Sequence, residues 1–184
     1  MGIMIAGLVL FLGIHLVPAA TGVRRTLAGR WGEQRYKGLF SAAAGIGLLL
    51  IVIGYYVGDR GEQWFAPVAA AHRAAPFIVT LTFILFAASH MRGHIRRIVQ
   101  HPMIIGVILW SGVHLLANGD RRGTILFGSF LAWSIVDLVS SLVRGPLRPF
   151  EAAWRYDAMA IAGGIVVAGI VMMLHPWLFG VRPY

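Results

Sequence analysis

The sequence contains no cysteine, and only seven of its 184 residues are Asp or Glu. Without cysteine the chain can form no disulfide bond, thiolate metal site or cysteine nucleophile. Metal ligation therefore falls mainly to its seven histidines. No segment of the sequence resembles a glycine-rich phosphate loop, a serine nucleophile elbow or a catalytic pair of carboxylates. These absences exclude several common enzyme classes and direct attention to the histidines.

Charge of either sign is scarce, since charged residues make up 12% of the chain and hydrophobic residues 58%. The charge that is present is unbalanced, with 16 Lys and Arg residues and a formal net charge of +9. A nucleic-acid-binding domain of this basicity would carry its charge on one polar face. Here the charge is spread thinly between long apolar runs, which excludes a nucleic-acid partner and indicates an integral membrane protein whose partner is the lipid bilayer.

The apolar runs predict six membrane-spanning helices. Crossing a hydrocarbon core of about 30 Å takes about 20 helical residues at a rise of about 1.5 Å each. The third candidate has a short apolar core and needs the Ala-rich stretch after Pro67 to lie at membrane depth. No linker separates any two runs, so we expect an all-α fold forming a single transmembrane domain over residues 1–184. The six predicted spans are 2–20, 38–58, 72–90, 102–118, 124–143 and 158–178.

The distribution of basic residues predicts the orientation of the chain. Cytoplasmic loops retain Lys and Arg, and eleven of the sixteen basic residues fall in the first, third and fifth loops. The other five, which include Arg182 near the C-terminus, fall on the opposite side. We therefore expect both termini to lie outside the cytoplasm. The eleven residues are Arg24, Arg25, Arg30, Arg35, Lys37, Arg92, Arg96, Arg97, Arg144, Arg148 and Arg155.

Three ionisable residues fall inside predicted spans, where a charge costs on the order of 3 kcal/mol. They are His15, His114 and Asp137. Each could serve only as a polar group hydrogen-bonded to a neighbouring helix, but two buried histidines on separate helices are also a frequent arrangement for holding haem iron. The predicted depths of His15 and His114, about 13 and 18 Å, are similar enough for one haem. Asp137 is a candidate for orienting His15 through a hydrogen bond.

A second group of histidines follows the third span. In one continuous helix His90, His94 and His101 would share a stripe that can bind a metal. The alternative is a basic segment that contacts phospholipid headgroups. Residues 90–101 contain no carboxylate that could assist in metal binding, which favours this alternative. His101 precedes Pro102 and is predicted to lie at the N-terminus of the fourth span. The role of this group stays open.

Several motifs resemble the NnrU family of bacterial inner-membrane proteins, whose plant and cyanobacterial relative is 15-cis-zeta-carotene isomerase. The resemblance covers roughly residues 10–130, in order and at matching spacing. It is most specific on the fourth span, where an HPxxxGxxxWxxxH pattern lies on one helix. The residues that carry it are His15, then Gly32, Glu33, Tyr36, Leu39 and Phe40, then His90 and Met91, and finally the segments 100–110 and 113–120.

The resemblance implies a cofactor and a cellular role. It implies a haem b whose axial ligands are His15 and His114, in a protein of the bacterial inner membrane. In that membrane, the orientation expected from the basic residues puts both termini in the periplasm. The plant enzyme has a cysteine that can replace the second histidine, and the matching residue here is Ser111, which cannot supply a thiolate. The bacterial family is linked to nitrogen-oxide metabolism, through the production of active nitrite and nitric oxide reductases.

Four functions remain open from the sequence. The first is a haem protein that supports denitrification or related redox chemistry together with a reductase or redox partner. The second is a haem-dependent cis-trans isomerase that acts on a hydrophobic, carotenoid-like polyene. The third is a membrane methyltransferase that uses S-adenosylmethionine, suggested by the His-Pro helix start and faintly by Glu151 and Tyr156. The fourth is an assembly factor without enzymatic activity.

Overall fold

The computed structural model describes residues 1–18 and 20–181 and is 80% helical, with no strand among these residues. The all-α prediction is therefore confirmed. Each predicted span contains one apolar helix, and two short helices occupy loops. The eight helices are α1 (Gly2–Leu16), α2 (Thr21–Trp31), α3 (Glu33–Val57), α4 (Ala69–Ser89), α5 (His94–Val99), α6 (Pro102–Asn118), α7 (Arg121–Val143) and α8 (Trp154–Phe179).

Four of these helices, α3, α4, α7 and α8, are long and apolar enough to cross a membrane. Counting α1 together with α2 as one broken span gives a fifth. Helix α6 is apolar but has 17 residues, which rise only about 25 Å. Helix α4 begins at Ala69, so the Ala-rich stretch does extend the third span. These helices confirm a membrane bundle with four to five spans by length; which membrane holds it, and in which orientation, stay predictions.

Much of the exposed surface of the long helices is apolar. Phe77 on α4 is 78% exposed and Val143 on α7 is 84% exposed. Outward-facing side chains of this kind would be costly in water and are favourable against lipid tails. The exposed faces therefore fit the membrane prediction.

The chain divides into two compact units, Met1–Glu62 and Gln63–Tyr184. In the first unit α1 packs along α3 through glycines that allow the two backbones to approach closely. A Cβ atom on Gly7 would lie 2.6 Å from the backbone nitrogen of Ile51, and one on Gly54 would collide with the backbone of Met4. This close contact gives Gly54 a helix-packing role.

The second unit is built around α4, which packs against both α6 and α8. Gly106 of α6 receives the ring of Phe86, and a Cβ atom on Gly164 of α8 would lie 2.6 Å from the backbone nitrogen of Ile84. Helix α7 packs against α6 on its other side. These contacts hold the helix that carries His114. Arg182, one of the basic residues used to predict the orientation, lies outside the described residues. That the chain forms a single domain stays a prediction.

Candidate functional site

His114 lies four residues before the end of α6, and its imidazole has a defined hydrogen-bonding state. Nδ1 is 2.8 Å from the carbonyl oxygen of Trp110, one turn earlier. A carbonyl oxygen only accepts, so Nδ1 must carry the proton. In the neutral ring, Nε2 then holds the lone pair with which an imidazole binds a metal.

Aromatic side chains from α6 and α7 surround the His114 ring. Its centroid is 4.8 Å from that of Phe127 and 5.4 Å from that of Trp110. The Trp110 ring in turn meets Phe127 and Phe130 edge to face, at 5.2 and 5.3 Å. Phe127 is only 5% exposed. The His114 imidazole is therefore packed among aromatic rings. Such apolar surroundings suit a flat, largely apolar ligand better than a hydrated ion.

The end of α6 beyond His114 is fixed by residues 63–65, a short segment of the loop before α4. Gln63 Nε2 donates to the carbonyl of Asn118, and the backbone nitrogens of Trp64 and Phe65 donate to the carbonyl of Gly119. Asn118 Nδ2 donates back to the His114 carbonyl at 2.7 Å. Carbonyl groups at the C-terminal end of α6, where a helix leaves them unpaired, therefore gain partners from this loop, and the end of the helix beyond His114 is held in place.

Gly119 and Asp120 complete this turn. Gly119 has φ of +72°, the left-handed conformation that glycine adopts without strain at a helix C-terminus. The Asp120 side chain accepts a hydrogen bond from the Gly123 nitrogen at 2.9 Å and caps α7. The connection between α6 and α7 is therefore two residues long, and its conformation is fixed by the glycine and by the Asp120 cap.

His15, in the first unit, repeats the arrangement of His114. Its Nδ1 is 2.6 Å from the carbonyl oxygen of Phe11, again one turn earlier. Its ring lies 4.3 Å from that of Phe11 and 5.2 Å from that of Phe40, centroid to centroid. The same reasoning places the proton on Nδ1 and the lone pair on Nε2. The two histidines singled out by sequence are therefore the same tautomer.

Ser111, the residue at the position of the isomerase cysteine, is fully buried. Its hydroxyl donates to the carbonyl of Val107 at 2.6 Å. The hydroxyl is thus satisfied within its own helix, so Ser111 acts as a packed helical residue.

The stripe of His90, His94 and His101 requires a continuous helix, and the structure does not contain one. Helix α4 ends at Ser89 with an exposed His90 after it, α5 is a separate short helix, and Gln100 has φ of +62°. His101 is the N-cap of α6, as Pro102 predicted. In the described part of the chain no group of three or more His, Cys, Asp or Glu side chains could hold a metal ion.

Asp137 has its own charged partner. Its Oδ1 lies 3.8 Å from Arg144 Nη2, two turns later at the end of α7. The Asp137 side chain is 19% exposed, so the ion pair offsets part of the cost of placing a carboxylate in this helix. The suggested role of Asp137 in orienting His15 stays a prediction.

Sequence reasoning missed one polar site, formed by Asp157 and His94. Asp157 is 5% exposed and its carboxylate lies 2.8 Å from His94 Nδ1. The signal that was available is the acidic residue in the first turn of an otherwise apolar helix. The headgroup interpretation of His94 overlooked this carboxylate, which is 63 residues away in the chain.

Comparison with known proteins agrees with the motifs. The family model described as NnrU protein matches residues 3–183, nearly the whole chain. Neither the curated proteins nor the solved structures provide a match. The match extends through the final third of the chain, where the motifs alone gave little.

Proposed function

The chain belongs to the NnrU family, and from this membership we propose that it is a membrane haem b protein that supports nitrogen-oxide metabolism. His114 and His15 are the proposed axial ligands. The observation that carries the proposal is that both imidazoles make the same kind of hydrogen bond. In each, Nδ1 donates to the carbonyl oxygen of the residue four positions earlier in its own helix. Histidines that bind metals commonly donate their other ring nitrogen in this way.

The surroundings of His114 are chemically suited to haem. The porphyrin is flat and largely apolar, and the aromatic rings of Trp110 and Phe127 flank the imidazole. The carbonyl hydrogen bond keeps the ring from rotating and raises the basicity of Nε2. Haem, when bound, supplies one-electron redox chemistry. The residues of this chain hold and orient the ligand nitrogen.

The assignment of both histidines to one iron comes from the family resemblance. Each histidine can be tested separately, because His15 and His114 lie in different units. Visible absorption of detergent-purified protein, expressed with added haem precursor, should show a Soret band that weakens in both His15→Ala and His114→Ala. His72→Ala is the matched control, since His72 is an exposed histidine. A wild-type spectrum without visible bands would refute the proposal.

The link to nitrogen-oxide metabolism can be tested in cells. In a denitrifying bacterium lacking its own family member, the wild-type chain should restore nitrite and nitric oxide consumption. His114→Ala should not, although it reaches the membrane. Equal rescue by both would show that the role does not need this histidine and would favour an assembly factor.

The aromatic setting of His114 also supports the isomerase alternative. The rings of Trp110, Phe127 and Phe130 form one continuous edge-to-face group, a surface on which a polyene could pack. Coexpression with a pathway that makes zeta-carotene, in the dark, should then shift the cis to trans ratio. An unchanged ratio would argue against this activity and leave the redox proposal intact.

A further inference from the structure

The carboxylate of Asp157 is buried against the start of α5, away from both His15 and His114 in the sequence. It accepts hydrogen bonds from the backbone nitrogens of His94 and Ile95, each at 2.8 Å. It also lies 2.8 Å from His94 Nδ1. The three contacts join two helices that are 63 residues apart in the chain.

The sequence around the pair is shaped to allow this approach. A Cβ atom on Gly93 would collide with the Asp157 carboxylate, so a larger residue would push the carboxylate away. The Ala153 nitrogen donates to the carbonyl of Arg92 at 3.1 Å and holds the start of α8 against the same segment. Trp154 stacks on the His94 ring with centroids 3.9 Å apart and planes inclined by 19°.

Capping of α5 accounts for two of the three contacts and leaves the imidazole unexplained. The two backbone nitrogens already use both carboxylate oxygens. The side chain of His94 adds a third bond, in which Nδ1 must be the donor because a carboxylate only accepts. Nε2 therefore holds the lone pair of the neutral ring. Within residues 1–18 and 20–181, Asp157 is the sole hydrogen-bond partner of this imidazole.

His94 and Asp157 have the arrangement of an imidazole general base that is oriented by a carboxylate. A buried carboxylate fixes the tautomer of a neighbouring imidazole, orients it and stabilises the imidazolium that forms when Nε2 takes a proton. The stacked indole of Trp154 favours the same cation. The His94 side chain is 15% accessible, so part of it can meet a small group while the stacking and the hydrogen bond hold the ring in place.

We propose that His94 is a general base and Asp157 its positioning residue, acting on the O–H group of a water or hydroxyl-bearing ligand. The lone pair of Nε2 takes the proton, the O–H bond breaks, and its electron pair stays on the oxygen. The positive charge on the imidazolium is balanced by Asp157. The ligand is thereby made nucleophilic, and returning the proton restores the neutral ring. This site does not depend on haem binding.

The reactivity of Nε2 can be measured without knowing the ligand. Diethyl pyrocarbonate acylates the unprotonated nitrogen of histidines, and mass spectrometry of the full-length protein in lipid nanodiscs gives a rate for each. We expect His94 to react at least as fast as the exposed His72, despite its lower exposure. Asp157→Asn should slow His94 about tenfold, the size of effect that a hydrogen bond to a charged group supports, and leave His72 unchanged.

Two results would overturn the proposal. A His94 that is unreactive in the wild type, or equally or more reactive in Asp157→Asn, would show that the pair only ties α5 to α8. Because that variant could loosen α5, nitrogen NMR of selectively labelled wild-type protein provides a second measurement. A proton on Nε2 and a bare Nδ1 at neutral pH would contradict the assigned geometry directly.

Discussion

The Nδ1 atom of His114 lies 2.8 Å from the carbonyl oxygen of Trp110, and this bond sets the chemistry available to the imidazole. It fixes which nitrogen carries the proton and which way the ring faces. His15 makes the same bond to Phe11 at 2.6 Å. Two histidines on separate helices thus share one tautomer and the same hydrogen bond to their own helix, which is the geometry that the haem proposal requires of its ligands.

Removing the aromatic neighbour of His114 should weaken the second unit. Phe127 is 5% exposed and contacts both His114 and Trp110, so Phe127→Ala should cost about 3 kcal/mol of stability through a cavity. Phe77→Ala is the matched control, because Phe77 is 78% exposed. Thermal unfolding in detergent should show a much lower midpoint for the first variant alone. Equal midpoints would contradict the burial of Phe127.

The packing of α1 on α3 predicts opposite effects for two glycines on one helix. A Cβ atom on Gly7 would lie within 3 Å of backbone atoms of α3, whereas one on Gly13 would meet nothing within 4 Å. Gly7→Ala should therefore lower the unfolding midpoint. Gly13→Ala should raise it slightly, since alanine is favoured over glycine in a helix by about 1 kcal/mol. Destabilisation of similar size in both would rule out this close approach.

Two glycines in the left-handed conformation allow the cost of backbone strain to be measured separately from the cost of a steric clash. Gly119 and Gly180 have φ of +72° and +69°, but only Gly119 has neighbours that a Cβ atom would strike. Alanine at either position costs about 1 kcal/mol in backbone strain. At Gly119 it must also displace Phe65 and Gln63, so its unfolding midpoint should fall further. If the two variants behave alike, the loop segment does not hold the end of α6.

Sequence predicted the local features well, because they depend on neighbours in the chain. Apolar runs identify the long helices, and Pro102 marks the start of α6. The HPxxxGxxxWxxxH pattern already contains the four-residue spacing of Trp110 and His114. That spacing is what allows the hydrogen bond within a single turn.

The features that sequence did not predict depend on distant contacts. The continuous helix through His90, His94 and His101 is interrupted twice. Before α5, Asp157 of α8 holds the backbone of His94. After α5, His101 leaves the helical conformation ahead of Pro102. No local pattern among residues 90–101 reports a carboxylate 63 residues later. The end of α1 at Leu16, before the predicted end of the first span at residue 20, was also hidden, since hydropathy marks apolar runs more clearly than the residues at which helices end.

The most direct test of the haem proposal is ligand rescue at His114. Purified His114→Gly should lose the low-spin visible spectrum of the wild type, and added imidazole should restore it by entering the space that the side chain leaves. His72→Gly, treated identically, should keep the wild-type spectrum throughout. A His114→Gly spectrum identical to that of the wild type, with or without imidazole, would contradict His114 as the ligand.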